Sequence, residues 1–194
     1  METRKTLILI DGSNLTSRYK EMVKDGRVPL KSVIETDDYV WSKFVFDEIS
    51  MNIVHIYYYS LLTANDEKIN QVQNEISSIH VSYPLDFQKT IYGYSSMTPQ
   101  IIKKSRGSHT NKSADDIHLV LDALRHTYNN SVDLVHIISG DGDYIPVIKE
   151  IMRQGKRVWV SALSSGLNPN IESAVDEFFI LDSKFFEDED YVQF

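Results

Sequence analysis

Short, almost wholly apolar runs alternate along the chain with longer stretches whose apolar residues recur at helical spacing. Thr6-Leu7-Ile8-Leu9-Ile10 stops at Asp11-Gly12, as a strand buried on both faces does. Residues 53–59, 134–138, 157–161 and 178–181 read the same way. A helix is predicted over residues 37–50, where Val40, Trp41, Phe44, Val45 and Ile49 fall close to one face, and another over 65–78, with Ile69, Val72 and Ile76. Further helices are predicted over 114–128, over 143–154 with Gly155 as its stop, and over 169–175. Residues 15–36 are mixed and polar around an Asp25-Gly26-Arg27 turn and suggest no regular element. Between 81 and 112 the pattern suggests a β-ribbon, 90–94 with 100–104, followed by a basic loop. Strands alternating with helices imply right-handed βαβ units, hence an α/β fold with a mainly parallel sheet of about five strands. No Gly/Ser/Pro-rich linker divides the chain, so residues 1–186 are expected to form a single domain and 187–194 an acidic tail.

Ligands of such sheets sit outside the carboxyl ends of the strands, at the switch in strand order. Acidic residues fall at those ends. Asp11 follows the first strand, Asp141 and Asp143 follow the strand ending at Ile138, and Asp115 and Asp116 open the helix before it. Each has an ordinary explanation taken alone: an Asp-Gly turn, a helix cap, or an acidic first turn matching the helix dipole. Together, at ends brought near one another by one topology, they predict a cation site. Converging carboxylates repel and rise in pKa unless a cation sits among them. Mg²⁺ or Mn²⁺, hard ions bound through oxygen, are the expected occupants.

Within the 115/116 pair, helical phase favours Asp116. Ile117, Val120, Leu121, Leu124 and Tyr128 share one face, which is expected to meet the core. Asp116 lies at the margin of that face and Asp115 nearly opposite its centre, although Leu119 on the far side blurs the stripe. Asp122 shares the direction of Asp115 and is expected to face solvent or to support the site from outside.

At these residues the sequence resembles the NYN domain family, the PIN-like ribonuclease group that includes bacterial LabA-type proteins. The matching stretches are Leu9-Ile10-Asp11-Gly12-Ser13-Asn14-Leu15, Ser113-Ala114-Asp115-Asp116-Ile117, and Ile138-Ser139-Gly140-Asp141-Gly142-Asp143-Tyr144-Ile145-Pro146-Val147. Gly155-Lys156-Arg157-Val158 and Ala174-Val175-Asp176-Glu177-Phe178 continue the likeness. The resemblance implies a three-layer α-β-α PIN-like fold and an acidic metal cluster at Asp11, Asp116, Asp141 and Asp143, with Asn14 beside it. Ser13 stands where the family usually has Glu or Ala, and Asp115 where Val is common, which leaves the choice within the 115/116 pair open. The implied activity is metal-dependent hydrolysis of RNA phosphodiester bonds, as an endoribonuclease. The alternative is a catalytically silent RNA-binding or regulatory scaffold, since a fold alone does not fix a function.

Composition trims the remaining options. The absence of cysteine excludes disulfides, zinc–thiolate sites and thiol nucleophiles. No Gly-x-x-x-x-Gly-Lys-Ser/Thr occurs, and Ser13 occupies the position, two after Asp11, where an aspartyl-phosphate hydrolase carries a second Asp. The net charge of −8 weighs against nucleic acid, but Glu187-Asp188-Glu189-Asp190 concentrates part of it in the tail and a metal cluster would neutralise more. Lys103, Lys104, Arg106, His109 and Lys112 form the densest basic stretch and are expected to track an RNA backbone. Lys149, Arg153, Lys156 and Arg157 read as an exposed helix end, Tyr57-Tyr58-Tyr59 as core, and His118 with Asp122 as a surface pair. No secretory leader or bilayer-spanning run appears, so a cytoplasmic protein with RNA as partner and no membrane is expected. A homodimer stays open.

Overall fold

The computed structural model describes residues 4–104 and 114–187. Strand β1, Lys5–Asp11, buries Leu7, Ile8, Leu9 and Ile10 completely. It runs without a loop into helix α1, Gly12–Lys24, whose Leu15, Tyr19 and Met22 face the core at helical spacing. This helix occupies a segment expected to lack regular structure. Its polar residues outnumber its few core positions, so its hydrophobic signal is weak.

The helix expected over residues 37–50 is absent. Its place is taken by an antiparallel ribbon of β2, Val33–Glu35, and β3, Val40–Ser42, followed by turns. Val40, Trp41, Val45 and Phe46 are all buried, so residues on several sides of the segment meet the core and their spacing imitates a helical stripe. Thr36 Oγ1 accepts from the Asp38 and Tyr39 amides and fixes the turn between the two strands.

Strand β4, Asn52–Leu62, and helix α2, Asp66–Ser77, follow as expected, with Asn65 capping the helix by accepting from the Lys68 amide. The expected ribbon of 90–94 with 100–104 is replaced by two different pairings. β5, His80–Pro84, pairs with β6, Tyr92–Ser96, while β7, Thr98–Lys103, joins the main sheet parallel to β4. Helix α3, Ala114–Tyr128, leads to β8, Leu134–Ile138. A 3₁₀ turn, Gly142–Tyr144, then enters α4, Ile145–Arg153, and β9, Arg157–Ala162. Only a 3₁₀ turn, Glu172–Ala174, forms where a helix over 169–175 was expected. β10, Glu177–Ile180, and α5, Asp182–Phe185, complete the described chain.

The main sheet is six-stranded and all parallel, in the order β10-β9-β8-β1-β4-β7. The strand beyond the expected five is β7. Side chains alternate between two cores. Ile8, Ile10, Ile56, Tyr58 and Ile138 pack with α1, α2 and the β3 region, whereas Leu7, Leu9, Tyr59, Val135 and Val158 pack under α3 and α4. The result is a three-layer α-β-α, PIN-like arrangement. Tyr58 and Tyr59 are fully buried, as core residues should be.

Helix α3 meets the sheet on a different face from the one its sequence predicts. Asp115, Leu119, Ala123 and Thr127 are buried, while Ile117, Leu121 and Tyr128 are about half exposed. The small side chains of Ala123 and Thr127 let the helix lie close to the strands, and the bulkier stripe is turned outward. Asp122 accepts from the Tyr59 hydroxyl at 2.9 Å and pairs with Arg125, in place of the expected pairing with His118. Among the described residues no helix is long and apolar enough to cross a membrane.

Candidate metal centre

The chain starts in the middle of the sheet at β1, moves outward through β4 and β7, and returns across α3 to β8 on the other side of β1. The carboxyl ends of β1 and β8 are therefore the switch point, where two outgoing connections diverge and leave a cleft. Asp11 is the last residue of β1 and also the N-cap of α1. Gly12 is required there: a Cβ would come 2.0 Å from the Tyr58 ring and 2.7 Å from the Tyr59 carbonyl.

Asp11, Asp115 and Asp116 each present a carboxylate oxygen to the cleft, all within 4.8 Å of one another. Asp11 and Asp115 are both only 3% exposed, and Asp116 is half-buried. Asp11 Oδ1 accepts from the Asn14 amide at 2.9 Å, and its Oδ2 accepts from the Ser139 hydroxyl at 2.9 Å. The Tyr144 hydroxyl lies 3.1 Å from Asp11 Oδ2 and 2.7 Å from Asp116 Oδ1. Asp115 Oδ2 accepts from the Ser13 hydroxyl at 2.6 Å.

Burial pushes the Asp11 carboxyl up to about 7, and the charges of Asp116 and Asp115 add to the rise against the opposing Asn14 and Ser139 hydrogen bonds. Burial likewise raises Asp116, assisted by the like charges of Asp115, Asp141 and Asp143 and opposed by the Tyr144 hydrogen bond. The donor set is entirely oxygen, anionic and crowded, which suits a hard divalent cation and no softer metal.

Asp141 and Asp143 stand outside the compact group, on the rim made by the turn after β8. Asp141 caps that turn, with Oδ1 accepting from the Asp143 amide at 2.9 Å, and its own amide donates to Ser139 Oγ at 3.2 Å. Asp143 is exposed. Asn14 ties the two strand ends together, its Oδ1 accepting from the Gly140 amide at 3.3 Å. Asn168 borders the same rim: its amide donates to the Gly140 carbonyl at 3.0 Å, and its side chain occupies the space a Cβ on Gly142 would need.

Of the expected site residues, the structure thus gathers Asp11 and Asp116 with Asp115, and sets Asn14, Asp141 and Asp143 around them. Lys103 and Lys104 lie at the carboxyl end of β7, on the same rim of the sheet, with Lys103 paired to Asp66. Arg106, His109 and Lys112 lie outside the described residues. Sequence reasoning missed Ser13, Ser139 and Tyr144 as hydrogen-bonding partners of the carboxylates. All of them sit inside the matching motifs, where a hydroxyl next to a strand-end Asp is the available signal. Asn168 carries no such signal. An apolar cavity of about 500 Å³, lined by residues including Leu85, Leu134, Trp159 and Phe179, lies at the opposite, amino ends of the strands and contains none of these carboxylates.

Residues 5–182 match the NYN domain family, and the chain belongs to it. That family is PIN-like and nuclease-like in general, and the acidic group at the switch point is in keeping with it. No curated protein matches the chain. A crystal structure of a protein of unknown function from Vibrio parahaemolyticus is similar in fold, with a TM-score of 0.55 at 19% identity, covering 96% of this chain and 100% of that one.

Proposed function

We propose that this protein is a metal-dependent ribonuclease that hydrolyses RNA phosphodiester bonds at the cleft between β1 and α3, with Mg²⁺ or Mn²⁺ held by Asp11, Asp115 and Asp116. The observation that carries the reading is the meeting of these carboxylates, from segments about a hundred residues apart in the chain, within 4.8 Å in a largely buried setting. Left without a cation, such a group is costly.

When bound, the cation supplies Lewis acidity toward a phosphate oxygen and neutralises the carboxylates. The chain's own residues do the rest. Ser139, Tyr144 and the Asn14 amide hold Asp11 and Asp116 in fixed orientations. In this reading Asp141 and Asp143, on the rim, orient an attacking water. Gly142, which has no room for a side chain beside Asn168, keeps the turn low at the cleft. Lys103 and Lys104, with the 106–112 cations, meet the RNA backbone.

A second reading is favoured by one observation: both Asp11 oxygens already accept protein hydrogen bonds. A site satisfied internally suits a catalytically silent RNA-binding scaffold. One assay separates the two. Labelled RNA is incubated with Mg²⁺, Mn²⁺ or EDTA, with wild type beside Asp116→Asn and Asp141→Asn. Cleavage that requires metal and falls at least 100-fold in Asp116→Asn is expected, about the loss typical of removing one charge-stabilising group. Cleavage that survives both chelation and substitution sinks the nuclease reading, and binding without cleavage in any cation supports the scaffold.

A further inference from the structure

Ser13 makes a bridge that the nuclease reading does not use. Its hydroxyl lies 2.6 Å from Asp115 Oδ2 and 3.1 Å from the Leu61 amide nitrogen. An amide can only donate, so the Leu61 N–H takes a lone pair of Ser13 Oγ, and the hydroxyl's single proton is directed at Asp115. The bridge thus joins the first turn of α1, the end of β4 and the first turn of α3. Asp115 is 3% exposed and shares its surroundings with two other carboxylates. Among the described residues Ser13 is the donor to this buried carboxylate, so its hydroxyl sets the carboxylate's orientation. The two positions where the sequence departs from the pattern it resembles, Ser13 and Asp115, are therefore in direct contact.

From this geometry we infer that Ser13 is a positioning residue that fixes Asp115 as a metal ligand beside Asp11 and Asp116. The inference rests on the metal-centre reading and adds a specific role to it. With Oδ2 held by Ser13, the carboxylate of Asp115 cannot swing away from the cleft. The Leu61 amide, a rigid part of the sheet, in turn holds Ser13. Without the hydroxyl, Asp115 would keep its buried position but lose its fixed direction, and the Leu61 amide would lose its acceptor.

The test is Mn²⁺ binding by isothermal titration calorimetry on the whole chain, with melting in EDTA as a record of the metal-free fold. The proteins are wild type, Asp11→Asn, Ser13→Ala, Ser13→Thr, Asp115→Asn, and the Ser13→Ala/Asp115→Asn double variant. Removal of a hydroxyl that orients a ligand is expected to weaken Mn²⁺ binding about 10-fold or more. Ser13→Thr, which keeps the hydroxyl, should restore it. Ser13→Ala should add no further loss once Asp115 is Asn, because the two then act as one unit.

Wild-type affinity in Ser13→Ala, or independent losses that multiply in the double variant, overturns the inference. So does unchanged affinity in Asp115→Asn, a result that does not depend on Ser13→Ala folding. If Asp11→Asn abolishes Mn²⁺ binding while Ser13→Ala leaves it intact, the inference fails and the metal centre stands. If wild type binds no Mn²⁺, both fail.

Discussion

Tyr144, on the turn after β8, places its hydroxyl 2.7 Å from Asp116 Oδ1 at the start of α3. The same hydroxyl is 3.1 Å from Asp11 Oδ2. A phenol has one proton, so it can satisfy only one of two ionised carboxylates at a time. The metal-free site therefore favours retention of a further proton among these acids, in keeping with the rise of the Asp11 carboxyl to about 7.

That proton makes stability depend on pH in a defined direction. In the unfolded chain Asp11 titrates near the ordinary aspartate value of 3.8, and in the metal-free folded chain burial pushes it up to about 7. Between those values the folded state holds a proton that the unfolded state has lost, so the contribution of Asp11 is full below about pH 4 and disappears as pH climbs to about 7. Metal-free protein should lose stability across that window, with Asp11 contributing up to about 1.4 kcal/mol per pH unit. Urea unfolding in EDTA at several pH values measures this. Asp11→Asn should flatten the slope, and a wild-type profile that rises over the same range would contradict the assignment.

Tyr144→Phe removes the shared proton donor and leaves the two carboxylate oxygens facing each other. A hydrogen bond to a charged group is worth about 1.5–3 kcal/mol, so metal-free Tyr144→Phe should unfold at lower urea with a loss of about 2 kcal/mol. Saturating Mn²⁺ should recover part of that loss, because the cation relieves the same repulsion. Equal losses with and without Mn²⁺ would assign Tyr144 a packing role alone.

Gly12 is fixed by geometry rather than by chemistry. Its Cβ position is filled by Tyr58, a fully buried ring whose hydroxyl lies 3.3 Å from the Val40 carbonyl oxygen. Gly12→Ala must displace that ring or the start of α1, and overpacking of this kind costs about 1–3 kcal/mol. Because Gly12 follows Asp11 directly, Mn²⁺ affinity should fall as well. A variant as stable as wild type would mean that Tyr58 can move aside.

Much of this site was legible because strands buried on both faces are read easily from unbroken apolar runs. The ends of β1 and β8 followed from those runs, and the acids at these ends pointed to the cleft. The segments misread share one cause: the apolar pattern did not report which side met the core. α1 presents only Leu15, Tyr19 and Met22 as large core residues. The 37–50 segment buries residues on several sides, which mimics a helix. In α3 the bulky stripe of Ile117, Leu121 and Tyr128 faces outward while Ala123 and Thr127 pack inward. That inversion is why phase disfavoured Asp115, which the structure shows buried in the acidic group. Its hydrogen-bond partner there, Ser13, is 102 residues away in sequence, and helical periodicity carries no trace of such a contact.

The rim cations offer a last test, of the RNA reading itself. Lys103 and Lys104 both lie at the carboxyl end of β7, roughly 10 Å from β1 across two strand spacings. Their surroundings differ. Lys103 pairs with Asp66 at an exposed site, which offsets part of its charge locally, whereas Lys104 is anchored through its backbone amide to the Leu62 carbonyl at 2.8 Å and has no carboxylate partner among the described residues. Lys104→Ala should therefore weaken binding of single-stranded RNA more than Lys103→Ala does. Loss of one phosphate contact should reduce the slope of log affinity against log salt by about 0.7. Fluorescence anisotropy with a short labelled RNA, at several salt concentrations in Ca²⁺ to limit cleavage, measures both quantities. Identical salt slopes in wild type and Lys104→Ala would place the RNA path elsewhere on the rim.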